Sequence, residues 1–137
     1  MIRFLFIATL ITVLASCDRP TGIKEYVQNA DSVAINYFKG DGTMDTVVRV
    51  VVVKDKSQIN ELADMIEGGT SEDTASNCGY DGSLHFFKNN VVLKDIDFRM
   101  GDVQCLHFSF SLNNKAYLTK LSGKAKTFLQ MFKHYNY

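Results

Sequence analysis

The stretch SLHFFKNNVVLKDIDFRMGDVQCLHFSFSLNNKAYLT, residues 83 to 119, decides the fold. It holds four short runs rich in β-branched and aromatic residues: Ser83 to Lys88, Val91 to Phe98, Gln104 to Leu112 and Lys115 to Thr119. Asn89-Asn90, Gly101-Asp102 and Asn113-Asn114 separate them. Asn tolerates the left-handed backbone that a two-residue hairpin turn requires, so the stretch reads as a four-strand antiparallel meander.

Alternation assigns the faces. Leu106, Phe108, Phe110 and Leu112 fall on one side of their strand, and Cys105, His107, Ser109 and Ser111 on the other. A two-residue loop at Gly101-Asp102 would turn Asp95 and Asp97 into the core, which costs too much for unpaired carboxylates. A three-residue loop, Gly101 to Val103, instead sets Ile96 opposite Phe108 and Phe98 opposite Leu106. The same logic applied to the Asn89-Asn90 turn favours Phe86 against Lys94 and Leu84 against Ile96. On the outer face, His85 then falls opposite Asp95 and His107 opposite Asp97.

Upstream, Val33 to Phe38 and Thr46 to Val53 read as two paired strands around the turn segment KGDGTMD. The second is nearly all Val, which suits a central strand buried on at least part of both faces. Asp55 or Ser57 caps a helix with Ile59, Leu62, Ala63 and Ile66 at i, i+3, i+4 and i+7, ending at Gly68-Gly69. Ser122 caps a last helix with Ala125, Phe128, Leu129 and Phe132 on one face. The prediction is one α+β domain over residues 32–137: an antiparallel sheet of five to six strands, with two helices on one face. Its order is β-β-α-β-β-β-β-α. Without the first strand, that order resembles the TATA-binding-protein-like folds, an analogy that carries no function.

The chain has 137 residues, with Lys+Arg 15 against Asp+Glu 15, three Cys and one Pro. That length suits a single core, and balanced charge leaves no electrostatic footprint for nucleic acid. At the N-terminus, Arg3 precedes the apolar run Phe4 to Leu14, too short to span a membrane and suited to a signal peptide of residues 1–16. The next four positions, Leu14-Ala15-Ser16-Cys17, resemble the lipobox of bacterial lipoproteins. The resemblance implies a diacylglycerol on the Cys17 thiol, cleavage just before it and a cell-envelope location. Residues 17–31 become a lipidated N-terminus and linker, and attachment to a membrane is through lipid. Cleavage leaves 121 residues with Lys+Arg 14 against Asp+Glu 15.

Export places Cys78 and Cys105 in an oxidising compartment, where a disulfide is the expected state. The competing reading is zinc held by Cys78, His85, Cys105 and His107, at a spacing that matches no familiar finger. A bridge would restrain the end of the long aperiodic segment 68–82. It would display Cys78, Tyr80 and Asp81 as a candidate contact loop for a protein partner. A second candidate is a divalent-metal or acid-base cluster of His85, Asp95, Asp97 and His107; a solvated sheet face is the simpler account.

Asp41, Thr43 and Asp45 have calcium-loop spacing but lack the required Gly and the twelfth-position Glu. No nucleophile-elbow or phosphate-loop motif occurs, and no catalytic residue is assigned. Lys120, Lys124, Lys126 and Lys133 make the chain's end basic, as a solvated helix face or one compatible with anionic headgroups. The expected function is a lipid-anchored, non-catalytic protein-binding module without a cofactor, of inhibitor or immunity type. A structural envelope component is the remaining alternative.

Overall fold

The computed structural model describes residues 20–71 and 78–135. The lipobox and Cys17 lie outside the described residues. The first element is a short helix, α1 (Ile23–Val27). Strands β1 (Ser32–Phe38) and β2 (Val47–Val53) follow, then helix α2 (Lys56–Glu67). Next come β3 (Gly82–Lys88), β4 (Val91–Arg99), a 3-10 turn at Val103–Cys105, β5 (His107–Leu112) and β6 (Lys115–Lys120). Helix α3 (Gly123–His134) closes the domain.

All six strands form one antiparallel sheet in the order β2-β1-β3-β4-β5-β6. The helices lie on one face, as the α+β reading predicted. Asp55 caps α2 by accepting from the Gln58 amide, and Ser122 caps α3 by accepting from the Ala125 amide. Asn89, Asn90, Asn113 and Asn114 all have positive φ, so both Asn-Asn pairs make the tight turns read from the sequence. The predicted Leu84↔Ile96, His85↔Asp95 and Phe86↔Lys94 pairs are present.

The core lies between sheet and helices. Val33, Ile35 and Tyr37, Leu84 and Phe86, Ile96 and Phe98, and Phe108 and Phe110 are all buried from the sheet side. They meet Ile59, Leu62 and Ile66 of α2 and Ala125, Leu129 and Phe132 of α3 in one cluster. The buried Tyr37 hydroxyl donates to the Leu129 carbonyl at 2.6 Å, tying β1 to α3. At Gly82 a Cβ would lie 2.3 Å from both the Asn36 carbonyl oxygen and the Phe98 ring, so only glycine fits where β3 begins.

Two expectations are corrected. β2 is an edge strand, not a central one, and Val48, Val50 and Val52 are more than half exposed on its outer face. A run of Val reports preference for extended backbone, and its neighbours are set elsewhere. Here the crossover through α2 delivers β3 to the far side of β1. The β4/β5 register also differs. Asp97 faces Ser109, Phe98 faces Phe108 and Arg99 faces His107, a slip of two residues from the predicted pairing. The cause is the connector: Asp102 accepts from the Gln104 amide and starts a 3-10 turn where strand was expected. A slip of two keeps every side chain on its predicted face while changing its partner.

Candidate functional site

The outer face of the sheet carries the chemistry-bearing side chains. Val50, Asn36, Ser83, Asp97, Ser109 and Leu118 form one continuous row from β2 to β6. Val52, Ala34, His85 and Asp95 form the adjacent row.

His85 is the hub of this face. Its Nδ1 lies 2.6 Å from Asp95 Oδ1, and its Nε2 lies 2.9 Å from Ser83 Oγ and 3.1 Å from Asn36 Nδ2. In the neutral ring this set requires the proton on Nδ1, which donates to the carboxylate, while Nε2 accepts from the hydroxyl and the amide. Carboxylate, imidazole and hydroxyl in line is the order used by nucleophilic hydrolases. Ser83, however, is only 5% exposed and belongs to a central strand, with its backbone in the ladder and the Asp97 carboxylate directly opposite. A negative charge there opposes an oxyanion instead of stabilising it. The arrangement orders a polar floor on the outer face of the sheet.

Asp97 borders an open depression of about 450 Å³ on this floor, with Asp95, Ser109 and Ser111 also at its wall. Burial raises the Asp97 carboxyl above its ordinary 3.8, and the Asp95 charge adds to the rise while His85 opposes it. A carboxyl that holds its proton more tightly folded than unfolded loses stability as pH rises through that range. Asp97→Asn should therefore melt higher than the parent at pH 7, with the gap closing below about pH 3.8. Thermal denaturation across pH 3 to 8 measures this, and an unchanged or lower midpoint at pH 7 contradicts it.

Cys78 and Cys105 are joined in a disulfide with Cα atoms 5.9 Å apart, within the range such bonds require. That removes the zinc reading, because sulfurs bonded to each other cannot serve as thiolate ligands. The bridge fixes the chain just before β3 to the 3-10 turn between β4 and β5, and the residues after Cys78 pack on the loop that follows β1. The Tyr80 amide donates to the Gly42 carbonyl at 3.2 Å. Gly79, at φ +63, sits so close that a Cβ would lie 2.0 Å from that same oxygen. The Tyr80 ring meets His107 edge to face with centroids 6.0 Å apart, and its hydroxyl reaches Ser109 Oγ at 3.5 Å. The segment thus folds down over the polar face.

The structure brings His85 and Asp95 together as predicted but separates His107 from Asp97. His107 is buried beside Tyr80 and faces Arg99 across the strands. Among the described residues, no group of three or more His, Cys, Asp or Glu side chains is placed to hold a metal ion. Asp81 is also reassigned. It is 6% exposed, pairs with Arg99 Nη1 at 2.8 Å and accepts from the Met100 and Gly101 amides at 2.8 and 2.6 Å. It is a structural latch that binds the start of β3 to the turn after β4, and no partner can reach its carboxylate. The exposed apolar residues that sequence reasoning missed are Val48, Val50 and Val52, because nothing in a run of Val marks it as an edge.

No protein-family model, no curated protein and no solved structure matches this chain. The functional reading therefore stands on the geometry of the outer face and on the sequence before it.

Proposed function

We propose that the protein is a lipid-anchored envelope protein whose domain is a non-catalytic binding module of inhibitor or immunity type. It takes an extended segment of a partner protein alongside β2. The carrying observation is the valine ridge: Val48, Val50 and Val52 are 57%, 57% and 53% exposed on an edge strand. An edge offers a row of backbone donors and acceptors, and natural edges are usually blunted by charge or Pro. The outer face of β2 has neither. A partner strand would satisfy the row and cover the valines with alternate side chains.

The footprint is lopsided, with valines at one side and the His85, Asp95 and Asp97 floor beside it. An apolar patch next to hydrogen-bonding groups is the make-up of a non-obligate interface. Two copies pairing symmetrically through β2 would cover the valines and leave the polar floor bare, which favours a different partner.

A photo-crosslinking residue at Val48, Val50 or Val52 of the full chain in its native envelope tests this, with Val91 at a hairpin tip as control. One adduct of a single foreign mass should form at the β2 positions and at least tenfold less at Val91. Val50→Lys, in a chain carrying the crosslinker at Val52, should remove it while leaving stability within about 0.5 kcal/mol, as expected for an exposed site. Equal adducts at Val91, or adducts of twice the chain's own mass, would overturn the proposal.

A further inference from the structure

We infer that the helix layer, with α3 foremost, rests on anionic lipid headgroups, so that the outer sheet face points away from the membrane. This rests on the lipid-anchor reading of Cys17. The first argument is the tether. Pro20 is the first described residue, three peptide steps from Cys17, a reach of about 10 Å. The chain enters the fold on the helix side. Glu67, at the end of α2, accepts from the Thr21 hydroxyl at 3.2 Å and from the Gly22 and Lys24 amides at 3.0 Å each. Immediately after α2, Thr70 accepts from the Lys120 amide at 2.8 Å, next to the start of α3. Tether and α3 therefore leave from neighbouring points, and a leash this short holds that side against the bilayer.

The second argument is charge. Residues 103–137 contain five Lys and no Asp or Glu, while residues 17–102 contain Lys+Arg 9 against Asp+Glu 15. The balanced total hides a cationic end. Lys124 is exposed on one flank of α3, beside Met131 at 45% and Tyr135 at 56% exposure, and Lys126 and Lys133 are half-buried along the other flank. A helix with lysines along both flanks and exposed apolar side chains beside one of them is suited to a headgroup surface. One lysine is already engaged, Lys124 with Glu61 at 2.9 Å; at 70% exposure it remains free to exchange that partner for a lipid phosphate. On the opposite side of the sheet, the β2 ridge and the polar floor stay open to the compartment.

The test uses the full lipidated protein in vesicles of neutral phosphatidylcholine alone or with a third phosphatidylglycerol. Lysine acetylation is followed peptide by peptide. Lys124, Lys126 and Lys133 should react at least threefold more slowly on the anionic vesicles, and 0.5 M salt should erase the difference. Lys39, just after β1, and Lys88, the last residue of β3, should react alike on both. Equal rates at the α3 lysines on both vesicles, or protection of Lys39 and Lys88 instead, would overturn the orientation. An intact mass on the same sample separates the two readings. A chain that lacks the diacylglycerol and floats free of both vesicles overturns anchor and orientation together. A lipidated, bound chain with unprotected α3 overturns the orientation alone.

Discussion

Asp81→Ala should lower the unfolding free energy by about 3–5 kcal/mol, the cost of breaking a buried ion pair from one side. Three groups lose their partner at once. The Arg99 guanidinium keeps its charge at 15% side-chain exposure, and its Nε already has no hydrogen-bond partner. The Met100 and Gly101 amides lose the carboxylate oxygen that both donate to. Asp81→Asn keeps one oxygen acceptor and should cost less, about 2–3 kcal/mol. Urea unfolding of both variants checks the order. Equal midpoints for the parent and Asp81→Ala would mean that the latch contributes nothing. The Asp81 amide also donates to Phe98 and its carbonyl accepts from Phe38, so the loss should spread to the ends of β1 and β4. Hydrogen exchange at Phe38 and Met100 should quicken first.

Reducing the Cys78–Cys105 bridge should cost a comparable amount. The two half-cystines are 27 residues apart, and closing a loop of that size removes about 3.5 kcal/mol of unfolded-chain entropy on the chain-entropy model. For a domain of this size that corresponds to a fall of about 10–15 °C in the melting midpoint. The paired Cys78→Ser, Cys105→Ser variant gives the same quantity without reductant. A fall of under about 3 °C would show that the loop is already held by Gly79 packed on Gly42 and Tyr80 packed on His107. The bridge and the Asp81 latch hold one segment, so their effects should fall short of additive when combined.

Much of the architecture was legible because each piece has a local cause. The Asn-Asn pairs marked two hairpin turns, Asp55 and Ser122 marked helix starts, and alternation separated Phe108 and Phe110 from His107 and Ser109. Even the rejected two-residue loop followed from one energy, the cost of burying Asp95 and Asp97. The His85–Asp95 contact came from the same step, because keeping carboxylates out of the core requires the one-residue register shift that a bulge at Phe86/Phe87 supplies beside the two-residue turn. Where the connection was longer, at Met100 to Leu106, the face rule still held but left the partner open by two residues, and the His107–Asp97 pairing failed.

The proposal of an exported, lipid-bearing N-terminus rests on residues 1–17 alone and needs no fold. The sequence by itself also determined which side chains are apolar, at what period, and between which turn residues. Those local rules dictate six strands, two capped helices and an even pair of cysteines. Only the tertiary structure decided that the all-Val strand lies at an edge and that Asp81 is sealed against Arg99 while Tyr80 lies on His107. Only there does the start of α3 come beside the end of α2, where the chain enters the fold. The physical reason is that strand order, long-range ion pairing and the placement of a crossover depend on contacts between residues far apart in sequence. Neither periodicity nor turn chemistry extends beyond its own segment.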